Sequence, residues 1–464
     1  MCGRSGGALG FPALLESVST KTIPRPGLAP RPKPPQVGPT PVVPDPVVPV
    51  SAGGVPPVGT EDANTASRPV PKALIPGSVT AKVLARVWRG GQMTVVDSPP
   101  GAGKTELVAT VVAHLAVRAG LRVAVGTPTS AQGVSLVERL SEQIDTREIE
   151  CLIKGGESMT KKKSGGKPCL ITVATLAKWK FTNRAGFDVL VVDEAYQATH
   201  ALFAKAAEGF TQVLMVGDPG QIGPVVTVDT SIWHGQKDGP HLRAPEVLTD
   251  YTDVERFALD TTWRLGSASA AAVAPIYKFP FTSGAYHRIC VSPDGEIHSE
   301  IESIEIGRAD TADSLEAMVA VADRVTALVG STLVTVDGQH KATGGDIAVI
   351  VSRNSQVSIL SGLLQQRSLP DVTIGTADKL QGGEWPVVVA LDPFVGSQSD
   401  SEHNTSIGRL CVMASRHTTH LSWMHDGSWV EMTKGRTASA RTNRSVRHAL
   451  TATSISREPV PTSR

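Results

Sequence analysis

The sequence predicts an α/β protein with two consecutive domains, each built on a parallel sheet. Three observations support this class. Short apolar runs rich in β-branched residues alternate with helical patterns, as they do in sheets whose parallel strands are joined by helices. These runs form two sets that are separated by an irregular stretch. The length of 464 residues is also typical of two or three domains rather than one.

The predicted strands follow the chain in order. The first set comprises MTVVDS, LRVAVGT, LITVAT, DVLVVDE and QVLMVGD and ends near residue 218. The second set comprises DIAVIVS, VTIGT, PVVVALD and THLSWMH. Two helices of the second domain are predicted because apolar residues recur at helical spacing. Their aligned residues are Leu315, Met318, Val319, Ala322, Val325 and Val329 in one helix, and Val357, Leu360, Leu363 and Leu364 in the other.

Composition divides the chain into four parts. Residues 1–75 are rich in proline and predict a disordered tail, which is either a linker or a docking segment for a protein partner. Residues 76–260 are predicted as the first domain, with a short basic insertion at about 150–168. Residues 261–433 are predicted as the second domain. Residues 434–464 are rich in arginine and predict a flexible basic tail that either attracts phosphates or only aids solubility.

The overall composition excludes several classes of protein. The chain has 45 Lys+Arg against 44 Asp+Glu, so its net charge of +1 indicates neither a nucleic-acid nor a membrane partner. The 5 cysteines are scattered without a close pair, which argues against a zinc site and predicts reduced thiols in a cytoplasmic protein. The sequence shows no signal or membrane-spanning pattern, so we expect no membrane association. A monomer is the default expectation.

A phosphate-binding loop is predicted at SPPGAGKT, between a strand and a helix. Gly101 and Gly103 allow backbone N–H groups to curl around phosphates. Lys104 is placed to reach the β and γ oxygens, and Thr105 to offer its hydroxyl to Mg²⁺. A nucleoside triphosphate with Mg²⁺ is therefore the predicted cofactor. The predicted nucleotide contacts are Pro100, Gly101, Ala102, Gly103, Lys104, Thr105 and Glu106.

Polar residues follow two further strands of the first set. Asp193 and Glu194 end the strand in DVLVVDE; Asp193 is predicted to hold Mg²⁺ through water and Glu194 to polarise the attacking water. Without the phosphate loop upstream, this pair would be equally typical of a helix cap. Asp218 and Gln221 follow the strand in QVLMVGD. Two interpretations stay open for them, an Asp-Pro-Gly turn or a γ-phosphate sensor at Gln221.

A local basic cluster lies in the second half of the first domain. It consists of Lys154, Lys161, Lys162, Lys163, Lys167, Lys178, Lys180 and Arg184. Its three consecutive lysines are candidate contacts for the phosphates of a nucleic acid, although a solvated lysine loop is an equally simple interpretation. Trp179, Phe181 and Trp263 are candidates for stacking on bases, and we expect at most one of them to do so.

The motifs and their order resemble those of superfamily 1 helicases, which are P-loop NTPases, across most of residues 95–425. The resembling segments are PPGAGKT (motif I), GTPTSAQ (Ia), ATLAKW (Ic), VVDEAYQ (II), GDPGQIGP (III), TTWRLG (IV), TADKLQGGEWPVVV (V) and RLCVMASRH (VI). The resemblance implies two RecA-like domains that bind ATP and Mg²⁺ between them. The QGGE form of motif V is similar to the RecD-like and nonsense-mediated-decay-helicase-like branch, which implies movement from 5′ to 3′.

The same resemblance assigns roles to single residues. It implies that Gln221 senses the γ-phosphate, that Arg264 contacts it, and that Arg416 is the arginine finger. A surface salt bridge is the alternative for each arginine. Gly382 and Glu384 are implied nucleotide contacts. The implied nucleic-acid contacts are Thr127, Pro128, Thr175 and Thr376, together with the three consecutive lysines.

Two functions follow from these assignments. The first is an ATP-driven helicase or translocase that moves along single-stranded DNA or RNA. The alternative is a nucleic-acid-stimulated ATPase that acts as a switch or recruiting module without separating strands. A P-loop kinase is disfavoured because it leaves motifs V and VI unexplained.

Overall fold

The computed structural model describes residues 69–156, 168–250 and 253–452. The described chain is an α/β structure with two parallel sheets, which confirms the predicted fold class. Most of the proline-rich segment, the three consecutive lysines and the last twelve residues lie outside the described residues. Among the described helices, none combines the length and apolarity that crossing a bilayer requires.

The strands form in both halves of the described chain. Those of the first half are β1 (Met93–Asp97), β2 (Val123–Thr127), β3 (Ile149–Cys151), β4 (Ile171–Thr175), β5 (Val189–Val192), β6 (Val213–Gly217) and β7 (Val254–Ala258). Those that follow are β8 (Thr261–Thr262), β9 (Thr282–Ser283), β10 (Ile289–Val291), β11 (Ile297–His298), β12 (Ile301–Glu305), β13 (Thr332–Thr335), β14 (Gly338–Lys341), β15 (Ile347–Val351), β16 (Thr373–Thr376), β17 (Trp385–Leu391) and β18 (His417–His425).

Helices connect these strands. They are α1 (Val79–Trp88), α2 (Lys104–Ala113), α3 (Ser130–Ser141), α4 (Leu176–Trp179), α5 (His200–Ala207), α6 (Ala244–Val247), α7 (Ser267–Val273), α8 (Leu315–Leu328), α9 (Asn354–Gln366), α10 (Ala377–Leu380), α11 (Glu402–Thr405), α12 (Ile407–Met413), α13 (Trp429–Met432) and α14 (Ala438–Thr451). A π-helical turn, His114–Arg118, extends α2. Short 3₁₀ turns lie at Thr146–Glu148, Ala195–Gln197, Ser231–Trp233, Leu248–Asp250, Ala274–Ile276 and Gly344–Asp346.

The first sheet has seven strands in the order β3-β4-β2-β5-β6-β1-β7, and its neighbouring strands all pair in parallel. Helices α1, α2 and α3 cover one face and α4, α5 and α6 the other, so both faces of the sheet are buried. All five strands predicted for this domain are present. The strands β1, β5 and β6 are neighbours, so the residues that follow them meet at one edge of the sheet.

The second sheet has five parallel strands in the order β12-β18-β17-β15-β16. Helices α7, α12 and α14 pack on one face, and α8 and α9 pack on the other. The four predicted strands and both predicted helices of this domain are confirmed. Sequence reasoning missed β12 and a small antiparallel sheet in the order β11-β10-β13-β14.

The carboxyl-terminal stretch corrects a prediction. Residues 438–451, expected within a flexible basic tail that begins at Lys434, form helix α14. Val446 and Leu450 are fully buried against the second sheet because their i, i+4 spacing places them on one helix face. Arg447 is also fully buried, since it pairs with a carboxylate that the fold provides.

Residues 69–75 correct the other predicted tail boundary. The ammonium group of Lys72 lies 2.8 Å from a carboxylate oxygen of Glu106. Its backbone N–H donates to the side-chain oxygen of Gln143 at 3.1 Å. Leu74 packs against the core of the first domain. This end of the predicted tail therefore belongs to the first domain.

Candidate nucleotide-binding site

The loop that follows β1 has the backbone shape of a phosphate cradle. Gly101 and Gly103 have φ angles of 71° and 83°, a region that favours glycine. A Cβ atom at Gly101 would lie 2.2 Å from the Cβ of Arg264, so a larger residue cannot occupy this position without displacing that segment. Lys104 begins α2, whose first N–H groups are free to bind an anion. These features fit the phosphates of a nucleoside triphosphate.

The acidic pair lies beside this loop. The ammonium group of Lys104 is 3.8 Å from a carboxylate oxygen of Glu194. Burial and the neighbouring Glu194 raise the pKa of Asp193 to about 7. Glu194 adopts a left-handed backbone with φ of 51°, a strained state that concentrates at functional sites. A buried carboxyl next to a second carboxylate fits a divalent cation, with Asp193 and the Thr105 hydroxyl as oxygen donors.

The segment that enters the second domain is bound to the phosphate loop. The hydroxyl of Thr262 donates to the carbonyl of Pro100 at 2.7 Å. The backbone N–H of Trp263 donates to the carbonyl of Gly101 at 2.9 Å. The indole of Trp263 is 54% exposed beside the loop. Sequence reasoning missed Thr262, although its position one residue before the predicted Trp-Arg motif was a usable signal.

The two predicted arginines lie close together near this loop. Arg264 pairs through Nε with the carboxylate of Glu384 at 2.6 Å, so the predicted nucleotide contacts Arg264 and Glu384 touch each other. Arg416 is buried, and its guanidinium donates to Ser415 Oγ at 3.1 Å. Its Nε has no hydrogen-bond partner among the described residues. Burial and the nearby Arg264 lower the pKa of Arg416 to about 10.

This arrangement leaves one N–H of the buried Arg416 guanidinium without an acceptor among the described residues. A buried guanidinium with an unpaired N–H is costly unless an anion completes it. The carboxylates of Asp218 and Glu194, both from the first domain, lie near enough to Arg416 to raise its pKa. A polyphosphate held by the loop would supply the missing acceptors. Gly382 has a φ angle of 93° and lies in the turn just before β17, two residues ahead of Glu384.

Gln221 lies at the boundary between the domains. Its side-chain N–H donates to Asp218 at 3.0 Å, and its side-chain oxygen accepts from Gln381 at 3.1 Å. Gln381 belongs to the second domain and precedes β17. The Gln221 side chain therefore contacts both domains. Asp218 also accepts the N–H of Gly220, which confirms the Asp-Pro-Gly turn, and the sensor role of Gln221 stays a prediction.

Several predicted contacts lie elsewhere. The carboxylate of Glu106 is engaged by Lys72 at 2.8 Å and by the Gln143 amide at 3.4 Å. Thr127 is fully buried and its hydroxyl donates to the Thr129 carbonyl. The prediction that this side chain contacts nucleic acid directly is therefore wrong. Pro128 is partly exposed at the start of the same turn.

The aromatic and basic candidates separate into core and surface residues. Trp179 is fully buried and its indole donates to the Val125 carbonyl at 2.8 Å, so its assignment as a stacking residue is wrong. Phe181 is 84% exposed. The Thr175 hydroxyl caps α4 by accepting the Lys178 N–H at 3.2 Å.

Arg184 is a structural residue of the same region. Its guanidinium donates to the carbonyls of Trp179, Lys180 and Lys205. Because three carbonyls hold this guanidinium in place, Arg184 fixes the turn after α4 rather than extending a free basic surface.

A groove of about 660 Å³ lies at the carboxyl ends of β15 and β16. Thr376, the predicted nucleic-acid contact of the second domain, is in its lining. His403 closes one side through a contact of 2.9 Å between its Nε2 and the Ser352 carbonyl. The remaining lining residues are Arg353, Asn354, Ser355, Asp378 and Lys379. The groove thus combines hydroxyl, amide and cationic groups, which bind phosphates, with the carboxylate of Asp378, which pairs with Arg409 at 2.8 Å.

Comparison with known proteins supports the assignment of the first domain. A family model described as an AAA domain matches residues 81–233, a stretch that contains the phosphate loop, the acidic pair and Gln221. The RecD subunit of the RecBCD enzyme from Mycolicibacterium smegmatis is 29% identical to this chain over 156 residues. That stretch covers 31% of this chain and 28% of the RecD subunit.

Two solved viral helicases are among the structures that this chain matches. The crystal structure of arterivirus nonstructural protein 10, a helicase, matches with a TM-score of 0.41 and 17% identity over 73% of this chain and 61% of that one. The PRRSV helicase matches with a TM-score of 0.39 and 15% identity over 74% of this chain and 54% of that one. This chain therefore spans less than two thirds of each of these relatives. Residues 81–233 are thus similar to an AAA domain, and the ordered motifs continue from this stretch into the second parallel-sheet domain.

Proposed function

We propose that this protein is an ATP-driven helicase or translocase that moves along single-stranded nucleic acid. The observation that carries the proposal is the composition of the nucleotide site, whose groups come from both domains. Gln221 of the first domain bonds Gln381 of the second at 3.1 Å, and Arg264 lies over Gly101. Such a site is complete only while the domains are together, so hydrolysis is linked to domain movement.

ATP and Mg²⁺ are the proposed cofactors. Bound Mg²⁺ would supply charge neutralisation at the β and γ oxygens. Lys104 binds the same oxygens from the protein side, while Thr105 and Asp193 hold the metal. Glu194 orients the attacking water and accepts its proton, and the exposed Trp263 indole offers the nucleotide base a stacking surface.

The two arginines are proposed to stabilise the charge that develops during phosphoryl transfer. Arg416 is preorganised, because its guanidinium is buried and one N–H is unpaired among the described residues. Arg264 leaves Glu384 to contact the γ-phosphate. An arginine in this role typically accelerates phosphoryl transfer by about 10³- to 10⁵-fold. The Gln221 amide, held between the domains, reports whether the γ-phosphate is present.

The nucleic-acid strand is proposed to contact both domains. In the second domain the groove with Thr376 takes the sugar–phosphate backbone, with Arg353 and Lys379 as its cations. In the first domain Phe181 is exposed and the ammonium group of Lys180 lies 5.6 Å from its ring, an arrangement that suits a base stacked beside a phosphate. The form of motif V supports movement from 5′ to 3′.

The proposed function is tested by measuring ATP hydrolysis without nucleic acid, with single-stranded DNA and with single-stranded RNA. We expect one or both polymers to stimulate the rate, because domain closure on a strand completes the site. Glu194→Gln is the background control and should abolish the stimulated rate while retaining nucleotide binding. A partially duplex substrate with a 5′ tail then tests strand separation. Stimulation without unwinding would support the alternative, a nucleic-acid-dependent switch, and a rate that neither polymer changes would contradict both.

The groove of the second domain has a separate test. Arg353→Gln with Lys379→Gln is expected to weaken strand binding and to flatten its salt dependence, since each lost phosphate contact lowers the slope of log K against log salt by about 0.7. The measurement is fluorescence anisotropy with a labelled single strand at several salt concentrations. The matched control, Arg308→Gln with Lys341→Gln, removes two exposed cations of the same domain outside this groove. An unchanged slope in the groove variant would remove the groove from the strand path.

A further inference from the structure

Asp218 of the first domain accepts a hydrogen bond from a tyrosine whose ring packs in the second domain. The hydroxyl of Tyr277 donates to Oδ1 of Asp218 at 2.9 Å and lies 3.3 Å from the sulfur of Cys411. Burial raises the pKa of Tyr277 well above its ordinary value, and the nearby Asp218 carboxylate raises it further. The phenol therefore keeps its proton. Burial also raises the pKa of Cys411 to about 12, so the thiol is protonated too. The thiol therefore donates to the phenol oxygen, and the phenol donates to Asp218.

Asp218 also forms a hydrogen bond with the predicted sensor, Gln221. Its Oδ1 accepts from Tyr277 and from the N–H of Gly220, while its Oδ2 accepts from the Gln221 amide at 3.0 Å. Asp218 is fully buried and Gln221 is 5% exposed, so water does not compete for these bonds. The orientation of the Gln221 amide therefore depends on the position of the Asp218 carboxylate.

Close packing fixes the positions of Tyr277 and Gln221 on either side of Asp218. A Cβ atom at Gly220 would lie 2.4 Å from the Tyr277 hydroxyl, and a Cβ atom at Gly408 would lie 2.9 Å from the Gln221 carbonyl oxygen. The aromatic rings of Phe279 and Phe281 pack on the Tyr277 ring at centroid distances of 5.5 and 5.2 Å. The phenol is therefore fixed by the second domain and cannot follow Asp218 if the domains separate.

We propose that Tyr277 is a positioning residue that orients Gln221 through Asp218 only while the two domains are closed. When the domains open, the Gln221 amide loses its contact with Gln381, and its remaining partner, Asp218, is no longer held by the phenol. Tyr277 then sets the rate of hydrolysis without touching the nucleotide. This inference rests on the proposed function, because it assigns Gln221 to the γ-phosphate.

The test is Tyr277→Phe, which removes one oxygen and keeps the ring packing. We expect kcat for strand-stimulated ATP hydrolysis to fall about five- to tenfold, the effect of one lost buried hydrogen bond. The KM for ATP, the affinity for the strand and the melting temperature should stay near their wild-type values. The matched control is Tyr286→Phe, which removes the hydroxyl of a tyrosine that is 66% exposed and should leave all four quantities unchanged.

A double variant shows whether Tyr277 acts through Gln221. If it does, Tyr277→Phe combined with Gln221→Ala hydrolyses ATP as slowly as Gln221→Ala alone. Multiplying effects in the double variant, or an unchanged kcat in Tyr277→Phe, would overturn the inference. A parallel loss of kcat, KM and melting temperature would also overturn it, because a purely structural role predicts that pattern. A wild-type protein that does not hydrolyse ATP would instead refute the proposed function, on which the inference depends.

Discussion

Lys104→Ala is expected to reduce ATP hydrolysis to the background rate. Lys104 is only 9% exposed, and its ammonium group lies 3.8 Å from a carboxylate oxygen of Glu194. Alanine removes the charge that binds the β and γ oxygens and leaves the acidic pair without that counter-charge. Loss of one preorganised group of this kind costs about 10² to 10³ in rate, and more where it also weakens nucleotide binding.

Phosphate release in the presence of the stimulating polymer is the measurement for Lys104→Ala. The control is Lys82→Ala, which removes an exposed lysine from α1 of the same domain and should leave the rate unchanged. Circular dichroism checks that the variant is folded. A Lys104→Ala rate within about tenfold of the wild type would mean that the loop after β1 does not bind the reacting phosphates.

Arg447→Leu is expected to destabilise the second domain strongly. The Arg447 guanidinium is fully buried and forms two hydrogen bonds to the Asp392 carboxylate, at 2.8 and 3.2 Å. It also donates to Asn443 and lies 4.6 Å above the ring of Phe394. Leucine would leave the buried Asp392 without its partner, a change that costs about 3 to 5 kcal/mol of unfolding free energy.

Urea unfolding followed by tryptophan fluorescence measures this effect, because Trp423 and Trp429 lie in the same domain. Arg441→Leu is the matched control: it changes an exposed arginine of the same helix and should alter stability by no more than about 0.5 kcal/mol. Arg447→Leu combined with Asp392→Asn should recover part of the loss, since asparagine carries no buried charge. Equal stabilities of Arg447→Leu and the wild type would contradict the assignment of this pair as a buried anchor.

The parts of the fold that the sequence predicted are those with strong local signals. The strand before Asp193 is an unbroken apolar run, VLVV, and the strand before the phosphate loop, MTVVD, is buried at its three central residues, as both faces of a parallel sheet require. The loop itself combines two glycines and a lysine at a spacing that few other structures need. Helix α8 was also predictable, because its buried residues repeat at helical spacing over 14 residues.

The parts that were missed depend on tertiary contacts. Helix α14 contributes Val446 and Leu450 to the core, but its many arginines and polar residues give it the composition of a tail. Only the folded chain shows that Asp392 neutralises Arg447. In the same way, aromatic identity alone does not distinguish the buried Trp179 from the exposed Phe181. The hydroxyl of Tyr277 was not predicted because its partner, Asp218, is 59 residues away in sequence.

The position of α14 also sets the order in which the domains mature during synthesis. All strands of the first sheet lie before residue 259, so this domain has its complete core while much of the chain is still being translated. The second domain cannot bury Asp392 or close one face of its sheet until the ribosome has released residue 451. During that interval the nascent chain carries a finished nucleotide loop beside an unfinished partner domain.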